Sequence, residues 1–230
     1  MRSLDELIAH PDAIWLLQER LQTIRGDIDE ALAIRQALVS ACFAGGDRVS
    51  GRRHLEDAWQ QAHRMGRLTL SHQLRQQLGL HLLSIGLTER ALPHLTSAMQ
   101  QAIDVDDTLM IVALGVSLSA LHLEEEDWAE AHRMGTLVVA ASSRRGNWLG
   151  VADGLITQST CMLATGEPLT DAIALLLHGG HHLNKHGAAA AVNLIKARLG
   201  ELRATHTPAL FDAFLRQALA QLGSQPAQAT

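Results

Sequence analysis

Histidine and cysteine are the residues of this 230-residue chain whose types could do chemistry, with thirteen of the former and two of the latter. His178, His182 and His186 recur every four residues on one helical face, with His181 beside them, a spacing that a divalent metal could use. Gly179 and Gly180 loosen the same turn, no carboxylate lies among the imidazoles, and no base or nucleophile is near. A solvated or cap-facing histidine cluster is the plainer reading. His81 and His122 fall within apolar helical stripes, where a single histidine more often hydrogen-bonds in a core than binds a ligand. No Gly-rich phosphate loop follows a strand and no Ser-His-Asp context can be placed, so neither a catalytic residue nor a cofactor is expected.

Two charge runs stand out. Arg48, Arg52, Arg53 and His54 form a basic run and Glu124 through Asp127 an acidic one. Both read as solvated charge on outward faces, with docking of an oppositely charged patch as the alternative.

The elements that must position these residues are helical. Nearly half the chain is apolar, tyrosine is absent, and Leu, Ala, Ile, Val and Met carry the apolar share, a composition suited to helices. A formal charge of −5 offers no basic field for a phosphate backbone, so nucleic acid is not an expected partner. Acids in Met1-Arg2-Ser3-Leu4-Asp5-Glu6 break any export-signal pattern. The most apolar stretch, 109–123, is shorter than the roughly 20 residues a bilayer span needs. A cytoplasmic protein without membrane insertion is expected.

Self-similarity organises the chain. Gly46, Gly86, Glu126 and Gly166 stand 40 residues apart, each between two apolar helical stretches. The columns Ile34, Leu74, Leu114, then Leu38, Leu78, Leu118, then Phe43, Leu83, Leu123, Leu163, keep the same pitch. Within a unit, Leu74, Leu78 and Leu82 precede Gly86 at helical spacing, and Ala91, Leu95 and Ala98 follow it. Each unit is a helical hairpin with an apolar stripe on both sides, so neighbours must stack to exclude water. First helices are expected near 28–44, 67–85, 107–123 and 147–164, and second helices near 47–65, 88–103, 127–144 and 169–185. Asp27-Ile28-Asp29-Glu30 and Ser3-Leu4-Asp5-Glu6 have the form of helix starts. Cys42 and Cys161, in the first and fourth units, are expected to be reduced, buried thiols. The pentapeptide Ala62-His63-Arg64-Met65-Gly66 recurs at 131–135, out of phase with the array, and is read as coincidence.

With these columns in place, the second unit, Leu78-Gly79, Leu82, Gly86, Ala91, Leu95 and Ala98, resembles the tetratricopeptide repeat. Glu126-Asp127-Trp128-Ala129-Glu130-Ala131 resembles that family's turn, with Trp128 packing there. Gly79 in mid-helix suggests a neighbouring helix too close for a Cβ. The resemblance covers roughly 32–185. It departs from the family at Gln158, Asp171 and His178, in lacking the closing proline, and in a pitch longer than the usual 34. Long pitches of this kind resemble helical-repeat arms of some bacterial regulators and sensors, and small arrays resemble type III secretion chaperones.

The resemblance implies an all-α, right-handed α-solenoid of about four tetratricopeptide-like hairpins. One domain would comprise N-terminal cap helices at 1–26, hairpins at 27–186, a C-terminal cap hairpin at 187–222 and a flexible tail at 223–230. It also implies that the first helices line a concave groove through Gln36, Ser40, Phe43, Gln73, Gln76, Leu80, Leu83, Val116, Ala120, Leu123, Asp153, Ile156, Thr160 and Leu163. That surface is apolar with a few amides and hydroxyls and suits an apolar or amphipathic segment of a partner protein. An equal alternative is that these residues pack against neighbouring hairpins or the C-terminal helix. The function expected is a non-catalytic scaffold, adaptor or chaperone. The other readings are a metal-binding sensor or enzyme using His178, His182 and His186, and an arm that self-associates as a homo-oligomer through exposed hairpin faces.

Overall fold

A computed structural model describes residues 4–8, 10, 12–24 and 27–224. Ser3, at the first expected helix start, and the end of the expected tail lie outside these residues. All twelve elements among the described residues are helices: α1 (Leu4–Ile8), α2 (Ala13–Thr23), α3 (Ile28–Ala44), α4 (Arg48–Arg64), α5 (Leu68–Ser84), α6 (Thr88–Asp104), α7 (Thr108–Glu124), α8 (Trp128–Arg145), α9 (Trp148–Ala164), α10 (Leu169–Lys185), α11 (Ala189–Ala204) and α12 (Pro208–Ser224). The all-helical repeat read from the sequence is the observed fold class. From α3 to α10 each expected helix agrees with the observed one to within one residue.

Helices α3 to α7 and α9 to α10 each have 17 residues, about 25 Å of rise. The joints explain this uniformity. Gly46, Gly66, Gly86, Asp106, Glu126, Gly146 and Gly166 all adopt a left-handed backbone, with φ between 52° and 84°. They stand 20 residues apart, half the pitch seen in the sequence columns. At each joint the following amide reaches back to the finished helix: Asp47 N donates to the Cys42 carbonyl at 2.8 Å, Asp107 N to Ala102 at 2.8 Å, Asp127 N to His122 at 2.8 Å and Asn147 N to Ser142 at 2.9 Å. The same four side chains then accept from the first turn of the next helix, at Ser50 N, Met110 N, Glu130 N and Gly150 N. One residue thus closes one helix and opens its successor. Asp27 opens α3 in the same way, accepting from Glu30 N at 3.0 Å, as its sequence context predicts.

The chain divides into two compact units between Gln101 and Ala102, within α6. In the N-terminal unit successive helices from α1 to α5 pack on one another. Leu7, Leu17, Ile34, Ala37 and Leu38 form one buried cluster there, and Leu55, Leu74, Leu78 and Leu82 are also buried. Gly79 meets the close neighbour its position suggests: a Cβ there would stand 2.7 Å from Leu95 Cδ2.

In the C-terminal unit α7 to α12 pack in sequence, with further contacts of α7 with α9, α9 with α11 and α10 with α12. Val151, Leu155, Ile173, Leu176, Leu183, Ile195 and Phe211 belong to one buried cluster spanning α9 to α12. The tightest crossing is between α8 and α9. A Cβ on Gly154 would lie 2.7 Å from the Gly135 carbonyl oxygen and 2.6 Å from Val139 Cγ2, and one on Gly135 would lie 3.0 Å from the Gly154 carbonyl oxygen. The two copies of the repeated pentapeptide therefore end differently. Gly66 sits in a left-handed turn, whereas Gly135 sits inside α8 against a neighbouring backbone.

Because backbone cannot yield as a side-chain tip can, Gly154→Ala is expected to destabilise the protein by about 1–3 kcal/mol. Gly200→Ala, on α11 where a Cβ meets nothing within 4 Å, is expected to be neutral or to stabilise by up to about 1 kcal/mol. Urea unfolding of both variants checks this, and equal effects would contradict the close crossing.

Candidate functional site

The first helices of the hairpins are α3 and α5 in the N-terminal unit and α7 and α9 in the C-terminal unit. Within the N-terminal unit Ser40, Gln73 and Leu80 are exposed, while Gln36, Gln76, Phe43 and Leu83 are half-buried. Phe43 is engaged rather than free: its ring stacks on His81 with centroids 4.4 Å apart, and it fills the space where a Cβ on Gly51 would be. His81 is accordingly a packing residue, although its Nε2 has no hydrogen-bond partner.

Within the C-terminal unit, Val116, Ala120, Leu123, Asp153 and Ile156 line one cleft of about 210 Å³, together with Ser119, Val138, Gly154 and Thr157. Helix α7 supplies one wall, α9 the other, and Val138 of α8 lies between them in sequence and in space. Asp153 is the only charged residue in the lining. Burial against these walls pushes its carboxyl above the ordinary carboxylate value, and no other charge contributes to that shift. Thr160 and Leu163 belong elsewhere. Thr160 accepts a hydrogen bond from Arg198 of α11 at 3.0 Å, and Leu163 packs against the unit's core. Thr160 is thus engaged by α11.

The histidines of the expected cluster, His178, His181, His182 and His186, are all exposed, and two of them also pack on a ring. Trp148 of α9 stacks on His186 at 4.2 Å and meets His182 edge-on at 5.9 Å, and the two imidazoles lie 4.7 Å apart. Among the described residues no group of three or more His, Cys, Asp or Glu converges as a metal site. Both cysteines are buried and free. Burial raises the pKa of each thiol, with Asp47 adding to the effect at Cys42, which keeps them protonated.

The basic run needs one correction. Arg48 and Arg53 are exposed and Arg52 pairs with Glu56 at 3.3 Å, but His54 is buried at 6% exposure with neither ring nitrogen hydrogen-bonded. It falls in the buried stripe of Gly51, Leu55, Ala58 and Ala62, a periodicity that the flanking arginines mask. The acidic run does face solvent. His122 is buried beneath it, with Nδ1 3.4 Å from the Asp127 carboxylate. Sequence reasoning also missed a cluster in the N-terminal unit: Arg75 lies over the Trp59 ring at 5.5 Å, His94 meets that ring edge-on at 5.2 Å, and Arg75 donates to Ser97. Its members sit on three different helices, so no local spacing announces it.

A wider hollow of about 370 Å³ lies at Leu7, Leu16, Glu19, Arg20 and Thr23. Its Arg20 is already paired with Glu30, which leaves it little charge to offer a ligand.

No protein-family model and no curated protein matches the chain. Solved structures do. BtubC from P. vanneervenii superposes with a TM-score of 0.57 at 17% identity over 76% of this chain and 74% of that one. Aspartyl phosphate phosphatase F from Bacillus subtilis superposes with a TM-score of 0.53 at 11% identity, over 95% of this chain but only 57% of that one. At such identities the likeness is one of helical-repeat fold alone.

Burial lowers the pKa values of His54, His72, His81 and His94 in the N-terminal unit; nearby arginines add to the effect in each case. These imidazoles fold neutral, so the unfolded chain binds more protons once pH falls below the ordinary histidine value of about 6.5. Stability is therefore complete above that value and declines as pH falls through it toward the lowered folded values. Thermal unfolding across this range is expected to show the decline, with a shallower slope in His54→Leu. A slope unchanged by that substitution would show that His54 is not buried neutral.

Proposed function

We propose that the protein is a non-catalytic scaffold or adaptor of the tetratricopeptide-like kind, which captures an apolar or amphipathic segment of a partner protein. The supporting observation is the cleft between α7 and α9, whose lining is apolar apart from Ser119, Asp153 and Thr157. An apolar hollow of this kind suits a side-chain ridge of another chain, which returns about 25 cal/mol for each Å² removed from water. The phosphatase among the structural neighbours does not argue for hydrolysis here, because the shared feature is the fold. Buried, protonated thiols and ring-stacked histidines are consistent with a chain that binds rather than reacts.

This reading rests on the residues of the C-terminal unit among those named from the repeat pattern. Ser40, Gln73 and Leu80 of the N-terminal unit are offered as further contacts, since each is exposed on the equivalent stripe.

Site-specific photo-crosslinking tests the reading. With p-benzoylphenylalanine in place of Ala120, cells are expected to yield one discrete protein adduct, and Leu123→Glu in the same chain is expected to reduce it at least about tenfold. The same probe in place of Ala140, exposed on α8, is expected to give no such adduct. Equal adducts at both positions, or none at Ala120, would contradict capture in the cleft.

A further inference from the structure

Asp153 is out of keeping with its surroundings. Among the described residues it has no hydrogen-bond or ion-pair partner, whereas Asp29, Asp57 and Asp106 are each paired with an arginine. Its neighbours in the cleft are chiefly aliphatic: Val116, Ala120 and Leu123 across from it, Val138 beneath, and Ile156 one turn along its own helix. The Ser119 hydroxyl is committed to the Val116 carbonyl at 3.0 Å and has no proton to spare for the carboxylate. His122, the nearest imidazole along α7, lies against Asp127 instead. Asp153 is exposed, but the apolar walls beside it partly desolvate its carboxyl, and no group of this unit pairs with it. Leu123, at the end of the lining, leads directly into Glu124, Glu125 and Glu126, all exposed, so the approach to the cleft is acidic as well.

We infer that the cleft recognises a peptide segment presenting one lysine or arginine between apolar side chains, with the cation received by Asp153. This rests on the proposed function and adds the chemistry of the partner to it. A lysine or arginine stem lies along the aliphatic walls while its head meets the carboxylate, and flanking apolar side chains cover Val116, Leu123 and Ile156. A free amine matches only the carboxylate and leaves those walls wet, so a chain segment is the occupant. An acidic or phosphorylated segment is opposed both by Asp153 and by the acidic run.

Fluorescence anisotropy of the full chain with labelled, end-blocked, leucine-rich heptamers tests this. The central residue is lysine, arginine, norleucine or glutamate. The lysine and arginine heptamers are expected to bind about tenfold tighter than the norleucine one, and the glutamate heptamer most weakly. Asp153→Asn, at an exposed position that tolerates the change, is expected to erase that preference, so that the lysine, arginine and norleucine heptamers bind this variant alike. Butylamine in large excess is expected not to displace the lysine heptamer. If the norleucine and lysine heptamers bind equally, or the preference survives Asp153→Asn, the cation inference falls and apolar capture stands. Displacement by butylamine would overturn the choice of a peptide. If no heptamer binds the natural chain, both the inference and the proposed function fail.

Discussion

A three-residue joint that serves two helices at once is the constraint on which the rest of this structure depends. A left-handed residue turns the chain, and the next residue donates its amide backward and offers its side-chain oxygen forward. Left-handed joints recur every 20 residues from Gly46 to Gly166 and four of these seven carry the side-chain cap as well, so helix length has little room to vary. Equivalent positions on α3, α5, α7 and α9 then recur at constant pitch. Within the C-terminal unit, this spacing brings Val116, Ala120 and Leu123 on α7 to one cleft with Asp153 and Ile156 on α9.

Glycine sets the second constraint, the separation of neighbouring helices. Where α8 crosses α9, Gly135 and Gly154 let the two backbones approach to a distance that no Cβ permits. Gly154 also lies in the wall of the cleft, immediately after Asp153, so the residue that brings α9 down onto α8 adjoins a carboxylate with no partner among the described residues. Packing thus sets an exposed, unpaired carboxylate against aliphatic walls that partly desolvate it, and the imbalance at Asp153 follows from the fold. Such imbalances are relieved by a ligand or tolerated as a local cost; the aliphatic walls around this one favour the first.

The legible and illegible parts of the sequence divide along physical lines. Helix ends from α3 to α10 were readable because glycines and caps are local signals, and the 40-residue columns were readable because side chains facing a shared core must match. The finer 20-residue cadence was present in Gly66 and Gly146 as well. Comparing first helices only with first helices hid it, as did Asp106 and Glu126, which hold the left-handed conformation without being glycine. The burial of His54 was obscured by Arg52 and Arg53, and the stacking of His182 and His186 on Trp148 joins residues more than 30 apart in the chain. Of the expected groove, residues on α7 and the start of α9 line a cleft. Thr160 contacts Arg198 instead, an arrangement set by how α11 lies on α9, which no local pattern encodes.

Methyl NMR titration of the full chain with the lysine-centred heptamer bears most directly on the claim that α7 and α9 form one recognition cleft. The account predicts that the methyl signals of Val116, Leu123, Val138 and Ile156 shift together with a single dissociation constant, while those of Leu210 and Leu219, exposed on α12, stay still. Shifts concentrated on α12, or different constants for the α7 and α9 methyls, would contradict it.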